Sequence, residues 1–420
     1  MANMHKLRLR KGREKAVINH HPWLFSGAIE KISGEVQDGD IVEVCDQTDK
    51  FLAYGFYNSN SKIIVRLFSF KHRDVIDKDF WRRRIESAIE FRKKFIDQDK
   101  TNVYRLIHSE GDFLPGLVVD KYGEYLVVQF STLGMELRRD EIISILKEIL
   151  GTEARTSRFG PGVKGIYDRS DIPSRKIEGL SPYSGLVWGA VPDMVEVKEN
   201  GLKFLVDIKK GQKTGFFIDQ RDNRERIAEL SLGKRVLNCF CYTGGFSVSA
   251  AAGGAKSVTS VDISSDAIEL ARENMKRNCL LNENSNSISS VPISPISSFV
   301  VDDVFEYLRK LKKGRQEFDM IILDPPAFVK SRESVRAAAR GYKDINMQAM
   351  HLLAKDGLLV TCSCSQHIDR MLFQKIVHDA AIDAGRDLQI IEIRGQAPDH
   401  PINCAHPEGE YLKCLICRVI

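Results

Sequence analysis

Residues 234–252 read KRVLNCFCYTGGFSVSAAA, an apolar run followed by a pair of glycines and then by small residues. This order predicts a buried strand, a tight turn and the start of a helix. Glycines suit a turn in which the backbone passes close beneath a ligand, and the first N–H groups of a helix are free to bind one. We therefore expect residues 242–245 to form a cofactor-binding loop.

Strands and helices alternate regularly from about residue 196 to the C-terminus. Apolar runs predict strands at 257–262, 318–324, 357–362, 388–393 and 411–419, and helical periodicity predicts helices at 265–278, 343–354 and 369–384. Alternation of this kind favours an α/β fold, here a Rossmann-like parallel sheet with helices on both faces. The Ser-rich stretch 282–298 is interpreted as a surface insertion before the third strand.

The chain ahead of this region has a different pattern. Residues 1–72 contain short alternating runs punctuated by glycines, which predict a small β-barrel. Residues 73–195 combine a basic helix at 79–95, a strand-turn-strand at 116–130 and a second helix at 136–150, which predicts a small α/β domain. The predicted domains are therefore 1–72, 73–195 and 196–420.

Composition narrows the class of protein. The 420 residues suffice for two or three domains. No apolar run of about 18 residues predicts a membrane span, and the basic start MANMHKLRLRKGREK does not resemble a secretory signal. Nine cysteines, an odd number, do not fit a secreted disulfide framework. We expect a cytoplasmic protein that does not bind membranes.

The net charge of +5 does not by itself indicate nucleic acid, but its distribution is uneven. Arg8, Arg10 and Lys11 belong to a basic N-terminus, and a second basic cluster covers 82–84 and 92–94 on the predicted outer faces of a helix. Either cluster is a solvated surface or a site for nucleic acid phosphates.

Two acidic residues follow predicted strands. Asp262 ends the strand after the glycine turn, where such folds bind ribose hydroxyls, although it could instead cap the next helix, as could Ser264 or Ser265. The G-x-G-x-x-G fingerprint of NAD sites is absent. S-adenosyl-L-methionine has no pyrophosphate and needs only space and polar contacts, so it is the expected cofactor.

The second acid, Asp324, precedes Pro325 and Pro326 at the end of a strand. Two prolines make a rigid turn, which fixes the carboxylate at the sheet edge. There it could bind the ring edge of a flipped base, or the turn could be merely structural. The next strand ends in TCSCS, and only one of Cys362 and Cys364 can face the cleft freely. No zinc-knuckle spacing is present, and no metal is expected.

Several motifs together resemble the RlmI (YccW) family of large-subunit ribosomal RNA cytosine-5 methyltransferases. They are KTGFFIDQRDNR (213–224), CYTGGF (241–246), DDVF (302–305), DPPAF (324–328), RGYKDIN (340–346), TCSCS (361–365), DHP (399–401) and PEGEYLK (407–413). The resemblance covers essentially the whole chain. It implies an N-terminal PUA domain that binds RNA, a middle domain of the β-β-α-β-β type, a homodimer, and large-subunit ribosomal RNA as the partner.

The resemblance also implies residue roles. Cys364 would attack C6 of the target cytosine, and Asp324 would hold or protonate N3. Asp303 would meet the adenine. The resemblance does not assign Tyr342 and Lys343, and we place them near substrate phosphate as a hypothesis of our own. The full cofactor set is Phe217, Asp219, Arg221, Asn238, Tyr242, Thr243, Gly244, Gly245, Asp262, Ile263, Asp302, Asp303 and Asp324. The RNA set is Pro325, Pro326, Phe328, Tyr342, Lys343, Arg8, Arg10 and Lys11.

The sequence departs from the expected pattern at two positions. Asn238 stands where many methyltransferases have Asp, and Ala327 stands where other cytosine-5 RNA methyltransferases have a second cysteine. Cys364 is therefore the expected catalytic thiol, and the group that removes the C5 proton is unassigned. Alternatives are a methyltransferase acting on guanine or adenine, a small-molecule methyltransferase, and an RNA-binding ribosome-assembly factor.

Overall fold

The computed structural model describes residues 5–151, 162–281, 295–328 and 335–420. The chain forms two compact units. The first comprises Met1–Val197, Val206–Ile218 and Pro398–Gly409, and the second comprises Lys198–Leu205, Asp219–Ala397 and Glu410–Ile420. Two segments of the predicted third domain, 206–218 and 398–409, thus belong to the first unit. The boundaries between three domains stay a prediction.

A six-stranded sheet opens the first unit. Its strands are β1 (His5–Leu9), β2 (Trp23–Phe25), β3 (Ile29–Ile32), β4 (Ile41–Cys45), β5 (Phe51–Tyr57) and β6 (Ile63–Ser69), with the short helix α1 (Lys15–Ile18) after β1. They lie in the order β2-β6-β5-β4-β1-β3. Leu7, Leu9, Val42, Val44 and Val65 form its core. The β-rich character predicted for residues 1–72 is confirmed.

A five-stranded sheet follows in the same unit. Its elements are α2 (Lys78–Lys93), β7 (Val103–His108), β8 (Leu117–Tyr122), β9 (Tyr125–Phe130), α3 (Leu133–Glu136), α4 (Arg139–Leu150), β10 (Gly165–Ser170), α5 (Ser174–Ile177) and β11 (Tyr183–Gly189). The sheet order is β11-β10-β9-β8-β7. The apolar stripe predicted for α2 is confirmed, because Trp81, Ile85, Ala88 and Ile89 are all buried.

One basic residue of α2 does not lie on an outer face. Arg92 is buried and binds both carboxylate oxygens of Asp112, at 2.6 and 2.7 Å. A buried arginine needs such a planar, two-bond partner because an unpaired charge is costly inside a protein. The predicted basic surface of α2 is wrong at this position. Arg83 and Lys94 are exposed, as predicted.

The second unit contains the predicted Rossmann-like sheet. A hairpin, β12 (Val195–Glu199) and β13 (Leu202–Val206), precedes it in the chain. The strands of the Rossmann-like sheet are β14 (Arg235–Cys239), β15 (Ser257–Asp262), β16 (Ile296–Val301), β17 (Phe318–Leu323), β18 (Leu353–Ser363), β19 (Leu388–Arg394) and β20 (Lys413–Val419). The helices are α6 (Arg221–Leu230), α7 (Gly245–Ala252), α8 (Ser265–Arg277), α9 (Val304–Lys313), α10 (Val335–Leu352) and α11 (Arg370–Ala384).

The strand order of this sheet is β16-β15-β14-β17-β18-β20-β19. The first five strands are mutually parallel, which confirms the α/β class. β20 runs antiparallel to β18 and β19, so the sheet is mixed rather than wholly parallel. Of the Ser-rich stretch, residues 282–294 lie outside the described residues, and 296–298 belong to β16.

No described helix is both long enough and apolar enough to span a bilayer.

Candidate active site

Five parallel strands of the second unit end at one edge of the sheet. The order places β14 and β17 side by side, although β15 and β16 follow β14 in the chain and lie on its other side. Ligands of open α/β sheets bind at such a reversal of strand order, outside the carboxyl ends of the strands. The loops after β14 and β17 therefore frame the crevice. Because β20 is antiparallel, its first residue, Lys413, lies at the same edge.

The loop after β14 has a strained backbone. Phe240, Tyr242 and Gly244 have φ angles of 58°, 48° and 80°, all in the left-handed region. Two of them carry side chains, and such conformations are retained mainly where function needs them. At Gly244, an added Cβ would lie 2.8 Å from the Cβ of Ala271. The glycine turn is thus required both by its backbone angle and by the close approach of α8.

Two side chains hold this loop in place. The Asp262 carboxylate accepts hydrogen bonds from the backbone N–H of Tyr242, at 2.8 Å, and of Ser264, at 3.0 Å. The alternative role for Asp262 as a helix cap is wrong, because Ser264 caps α8 through the N–H of Ala267. The buried Asn274 donates to the Thr243 carbonyl, at 2.9 Å.

Three predicted cofactor residues lie beyond β15 and β16, and one of them, Asp303, is the residue predicted to meet the adenine. Ile263 follows Asp262 directly and is 72% exposed, so its apolar surface is available to a ligand. Asp303 is exposed, and its carboxylate caps α9 by accepting from the Glu306 N–H. Asp302 forms an ion pair with Lys310, at 2.6 Å.

A carboxyl group with an unusual pKa lies after β17. Burial raises the pKa of Asp324 to about 7, and the negative charge of Asp219 adds to the effect, whereas Gln220 and Arg224 oppose it. A carboxyl with this pKa is partly protonated at neutral pH and can act as an acid. Asp324 begins the rigid Asp-Pro-Pro turn, in which Pro325 is buried and Pro326 is exposed. The turn therefore passes from the interior to the surface and keeps the carboxyl group at the edge of the sheet.

Buried polar atoms near this edge lack partners among the described residues. Among them are Asp219 Oδ1, Asn238 Oδ1 and Thr361 Oγ1. The other oxygen of Asp219 accepts from the Tyr411 hydroxyl, at 2.7 Å, and the amide nitrogen of Asn238 donates to Ser247, at 2.8 Å. Because buried polar groups in proteins are normally hydrogen-bonded, these oxygens fit the polar contacts of a cofactor.

The remaining predicted cofactor residues are placed as follows. Arg221 is buried and pairs with Asp222, at 3.0 Å. Phe217 belongs to the first unit, directly before the short helix at 218–220. Gly245 begins α7, and a Cβ there would lie 3.0 Å from the Arg224 side chain. The buried Arg224 is itself held by two hydrogen bonds of 2.7 Å to Glu199.

The two cysteines after Thr361 have different surroundings. Cys362 is fully buried in β18, opposite Cys414 of β20, and its interaction with Cys414, together with burial, raises its pKa. Cys364 follows the last residue of β18 and is half-buried. Leu323 pairs with Thr361, so Asp324 is level with Cys362 and Cys364 is two residues further along. Of the two thiols, Cys364 is the one with a surface at the edge.

Tyr342 of α10 holds the residues on either side of Cys364 in place. It is fully buried, and its hydroxyl forms hydrogen bonds with Ser365, at 3.0 Å, and Ser363, at 3.1 Å. The prediction that it lies near substrate phosphate is wrong, since the hydroxyl is enclosed by the two serines that flank Cys364. The Lys343 ammonium forms an ion pair with Asp383, at 2.6 Å.

The other predicted RNA residues lie at two places. Phe328 is half-buried and its ring is 4.6 Å from that of Tyr342, beyond the proline turn. Arg8 and Arg10 lie in and after β1 of the first unit, where Arg8 pairs with Asp49, at 2.7 Å, and Arg10 donates to the Ile29 carbonyl. Lys11 is exposed.

Four residues of this site had no predicted role: Gln220, Asn274, Tyr411 and Lys413. Three of them lie inside the motifs that carry the family resemblance: Gln220, Tyr411 and Lys413. Their place in these motifs was the feature of the sequence that could have marked them as site residues. Asn274 lies on α8 and has no local signal, because a buried helical asparagine is recognisable only once its partner is known.

Two family models match the chain. The model for S-adenosylmethionine-dependent methyltransferases matches residues 180–414, and the model for PUA-like domains matches residues 7–70. The expected class of cofactor is thereby confirmed.

Relatives and solved structures agree with these models. The chain is 46% identical to ribosomal RNA large subunit methyltransferase I of Aeromonas hydrophila, over 98% of both chains. It is 43% identical to the protein of that name from Klebsiella pneumoniae, over 99% of this chain and 98% of the relative. A methyltransferase structure complexed with SAH superposes with a TM-score of 0.81 at 25% identity, covering 98% of this chain and 99% of that one. The chain therefore belongs to the S-adenosylmethionine-dependent methyltransferases and, among them, to the ribosomal RNA large subunit methyltransferase I family.

Proposed function

We propose that this protein transfers a methyl group from S-adenosylmethionine to C5 of a cytosine in large-subunit ribosomal RNA. The observation that carries the proposal is that a thiol and a carboxyl group lie at the same edge of the sheet. A half-buried thiol, Cys364, follows β18, and a carboxyl with a pKa of about 7, Asp324, follows the neighbouring strand β17. Methylation of a base nitrogen would have no use for the thiol. The names of the relatives support RNA of the large subunit as the substrate.

The proposed reaction begins with the thiolate. The Cys364 sulfur gives an electron pair to C6 and forms an S–C6 bond. The C5–C6 π pair moves to C4–C5, the C4–N3 π pair moves to N3, and N3 takes the proton of Asp324. C5 would then use the C4–C5 pair to bond to the methyl group, and the bond between that methyl group and the sulfonium would break with its electron pair left on the cofactor's sulfur as a thioether. The N3 pair would restore the C4–N3 double bond at the same time. Finally a base removes the C5 proton, the C5–C6 double bond reforms, the S–C6 pair returns to sulfur and the N3 proton is released.

The cofactor supplies an electrophilic methyl group on a sulfonium. The residues that would hold it are those at the loop after β14 and at the end of β15, with Asp219 and Asn238 offering the buried oxygens described above. Asp262 has both oxygens engaged by backbone N–H groups, so its hydrogen-bonding capacity toward ribose hydroxyls depends on its remaining lone pairs. Gly244 allows the tight turn against Ala271 of α8 that shapes this loop, along which the cofactor would lie.

A methyl-transfer assay tests the proposal. Ribosomal RNA from cells lacking the protein is incubated with it and labelled cofactor, and the RNA is digested to nucleosides. We expect the label in 5-methylcytosine. Label in a methylated guanosine or adenosine would overturn the cytosine assignment, and the absence of transfer to both free RNA and assembly particles would favour a role as an assembly factor.

Three further properties stay predictions. Arg8, Arg10 and Lys11 are proposed to bind RNA phosphates, and replacing all three should weaken RNA binding and its salt dependence. A homodimer is tested by analytical ultracentrifugation, and a cytoplasmic location by cell fractionation.

Replacing Gly244 with Ala should weaken cofactor binding about tenfold. A side chain at φ +80° costs about 1–2 kcal/mol, and its Cβ would also press on Ala271 at 2.8 Å. Isothermal titration with S-adenosylmethionine measures the effect. Gly233→Ala is the matched control, because Gly233 also has a positive φ, 71°, but its Cβ would meet nothing within 4 Å. Equal affinities of the Gly244→Ala variant and the wild type would contradict the assignment of this loop.

Replacing Asp219 with Asn should change the pH profile of methyl transfer. The negative charge of Asp219 raises the pKa of Asp324, so its removal lowers that pKa. The protonated acid is then lost at a lower pH, and the high-pH limb of kcat, measured at saturating cofactor, moves down from about pH 7. Asp356→Asn, at an exposed pair with Arg418, is the control. A limb that stays in place or moves up would refute the coupling.

A further inference from the structure

One buried lysine at the sheet edge has no role in the chemistry described so far. Lys413 is 2% exposed and is the first residue of β20, directly opposite Ser363 of β18. Its ammonium donates to the carbonyls of Ser365 and Tyr411, both at 2.8 Å. The ammonium is thus fixed against the residue that follows Cys364.

The charge of this lysine is not neutralised by a carboxylate in contact. Both hydrogen bonds go to uncharged backbone oxygens, and no described carboxylate lies within ion-pair distance of Nζ. Burying an ammonium without a paired anion is costly. Burial lowers the pKa of Lys413 to about 8, and the first group that opposes this effect is the Cys364 thiolate, ahead of Glu410 and Asp369. Because the ammonium binds the carbonyl of Ser365, a negative charge on the neighbouring Cys364 would lie close enough to compensate it.

We propose that Lys413 is a positioning residue whose ammonium keeps Cys364 in the thiolate form. The inference rests on the proposed function, in which Cys364 is the nucleophile. An ordinary cysteine is only about 3% thiolate near pH 7, so a nucleophilic thiol needs a positive charge nearby. The backbone bonds fix the lysine independently of substrate, and the charge is present before RNA binds. The charged and titratable groups around the pair are Tyr342 of α10, Asp369 and Arg370 at the start of α11, and Glu410 before β20.

The rate of alkylation of Cys364 as a function of pH tests this role without any methyl transfer. The wild-type protein is treated with iodoacetamide from pH 5 to 10, and tandem mass spectrometry of the tryptic peptide 356–370 distinguishes Cys364 from Cys362. We expect Cys364 to titrate below the ordinary value of about 8.5. A wild-type value at or above 8.5 overturns the proposal, whatever the variants do.

Two variants separate charge from hydrogen bonding. Lys413→Gln keeps a donor without the charge, and Lys413→Met removes both. Each should raise the apparent pKa of Cys364 by about one unit, which slows alkylation at pH 7 about tenfold and leaves the rate at pH 10 unchanged. Lys375→Met, at an exposed pair of α11, is the control and should match the wild type. Cofactor titration confirms that each variant is folded. An unshifted profile in folded Lys413→Gln overturns the proposal.

Failure of this inference differs from failure of the proposed function. If Cys364→Ala lacks activity while Lys413→Gln leaves the thiol pKa unchanged, only the role of the lysine is wrong. If Lys413 controls the pKa and Cys364→Ala retains full activity, the pair exists but cytosine methylation does not use it.

Discussion

Cys364→Ala should lose methyl transfer by at least about 10⁴-fold, which corresponds to about 5.5 kcal/mol of barrier. Without the S–C6 bond, C5 of cytosine is too poor in electrons to take the methyl group, and the buried thiols of the neighbouring strands cannot replace Cys364. Cys362 is fully buried opposite Cys414, and Cys239 is enclosed in the core. The kcat with ribosomal RNA is the quantity to measure, and the affinity for S-adenosylmethionine should be unchanged.

Cys362→Ala is the matched control, since Cys362 lies on β18 only two residues before Cys364. Loss of a buried sulfur should lower stability by about 1 kcal/mol and leave kcat within a few-fold of the wild type. If instead Cys362→Ala is inactive and Cys364→Ala is active, the nucleophile is Cys362 and the proposed role of Cys364 is wrong.

Asp324→Asn should reduce kcat by about 10²- to 10⁴-fold, the usual contribution of a positioned acid. Asparagine has the same shape and can donate a hydrogen bond to N3, but it has no proton to transfer. The high-pH limb near pH 7 that belongs to the Asp324 pKa should also disappear from the profile. Stopped assays across pH 5–9 at saturating cofactor measure both effects.

Asp319→Asn provides the control for this substitution. Asp319 lies on the same strand, β17, and pairs with Arg235, at 2.8 Å, near the amino end of the strand. A similar loss of kcat in both variants would mean that the damage is structural. Nearly full activity of Asp324→Asn would contradict the role of Asp324 as the acid.

The sequence predicted the second unit well because its apolar strands and amphipathic helices have clear periodicities. The glycine turn at 244–245, the strand ending at Asp262 and the strand before Asp324 all lie where the pattern placed them. The pattern did not locate β1, where Leu7 and Leu9 alternate with the basic residues Lys6 and Arg8. Net positive charge obscured a strand whose apolar residues are fully buried.

The parts of the site that the sequence did not predict depend on strand order and packing. Periodicity does not reveal that β20 is antiparallel beside β18, and only that arrangement brings Lys413 opposite Ser363. Tyr342 has a hydroxyl that could have bound phosphate at a surface, yet α10 directs it between Ser363 and Ser365. Residue type alone could not distinguish these two uses.

The most direct test of the central claim is to map the covalent adduct with RNA that contains 5-fluorocytosine. With fluorine at C5 the proton-removal step cannot occur, so the S–C6 bond formed by the nucleophile persists. After incubation with S-adenosylmethionine and digestion, mass spectrometry should find one methylated nucleotide on Cys364 in peptide 356–370. An adduct on another residue, or turnover of the modified RNA without an adduct, would contradict the account.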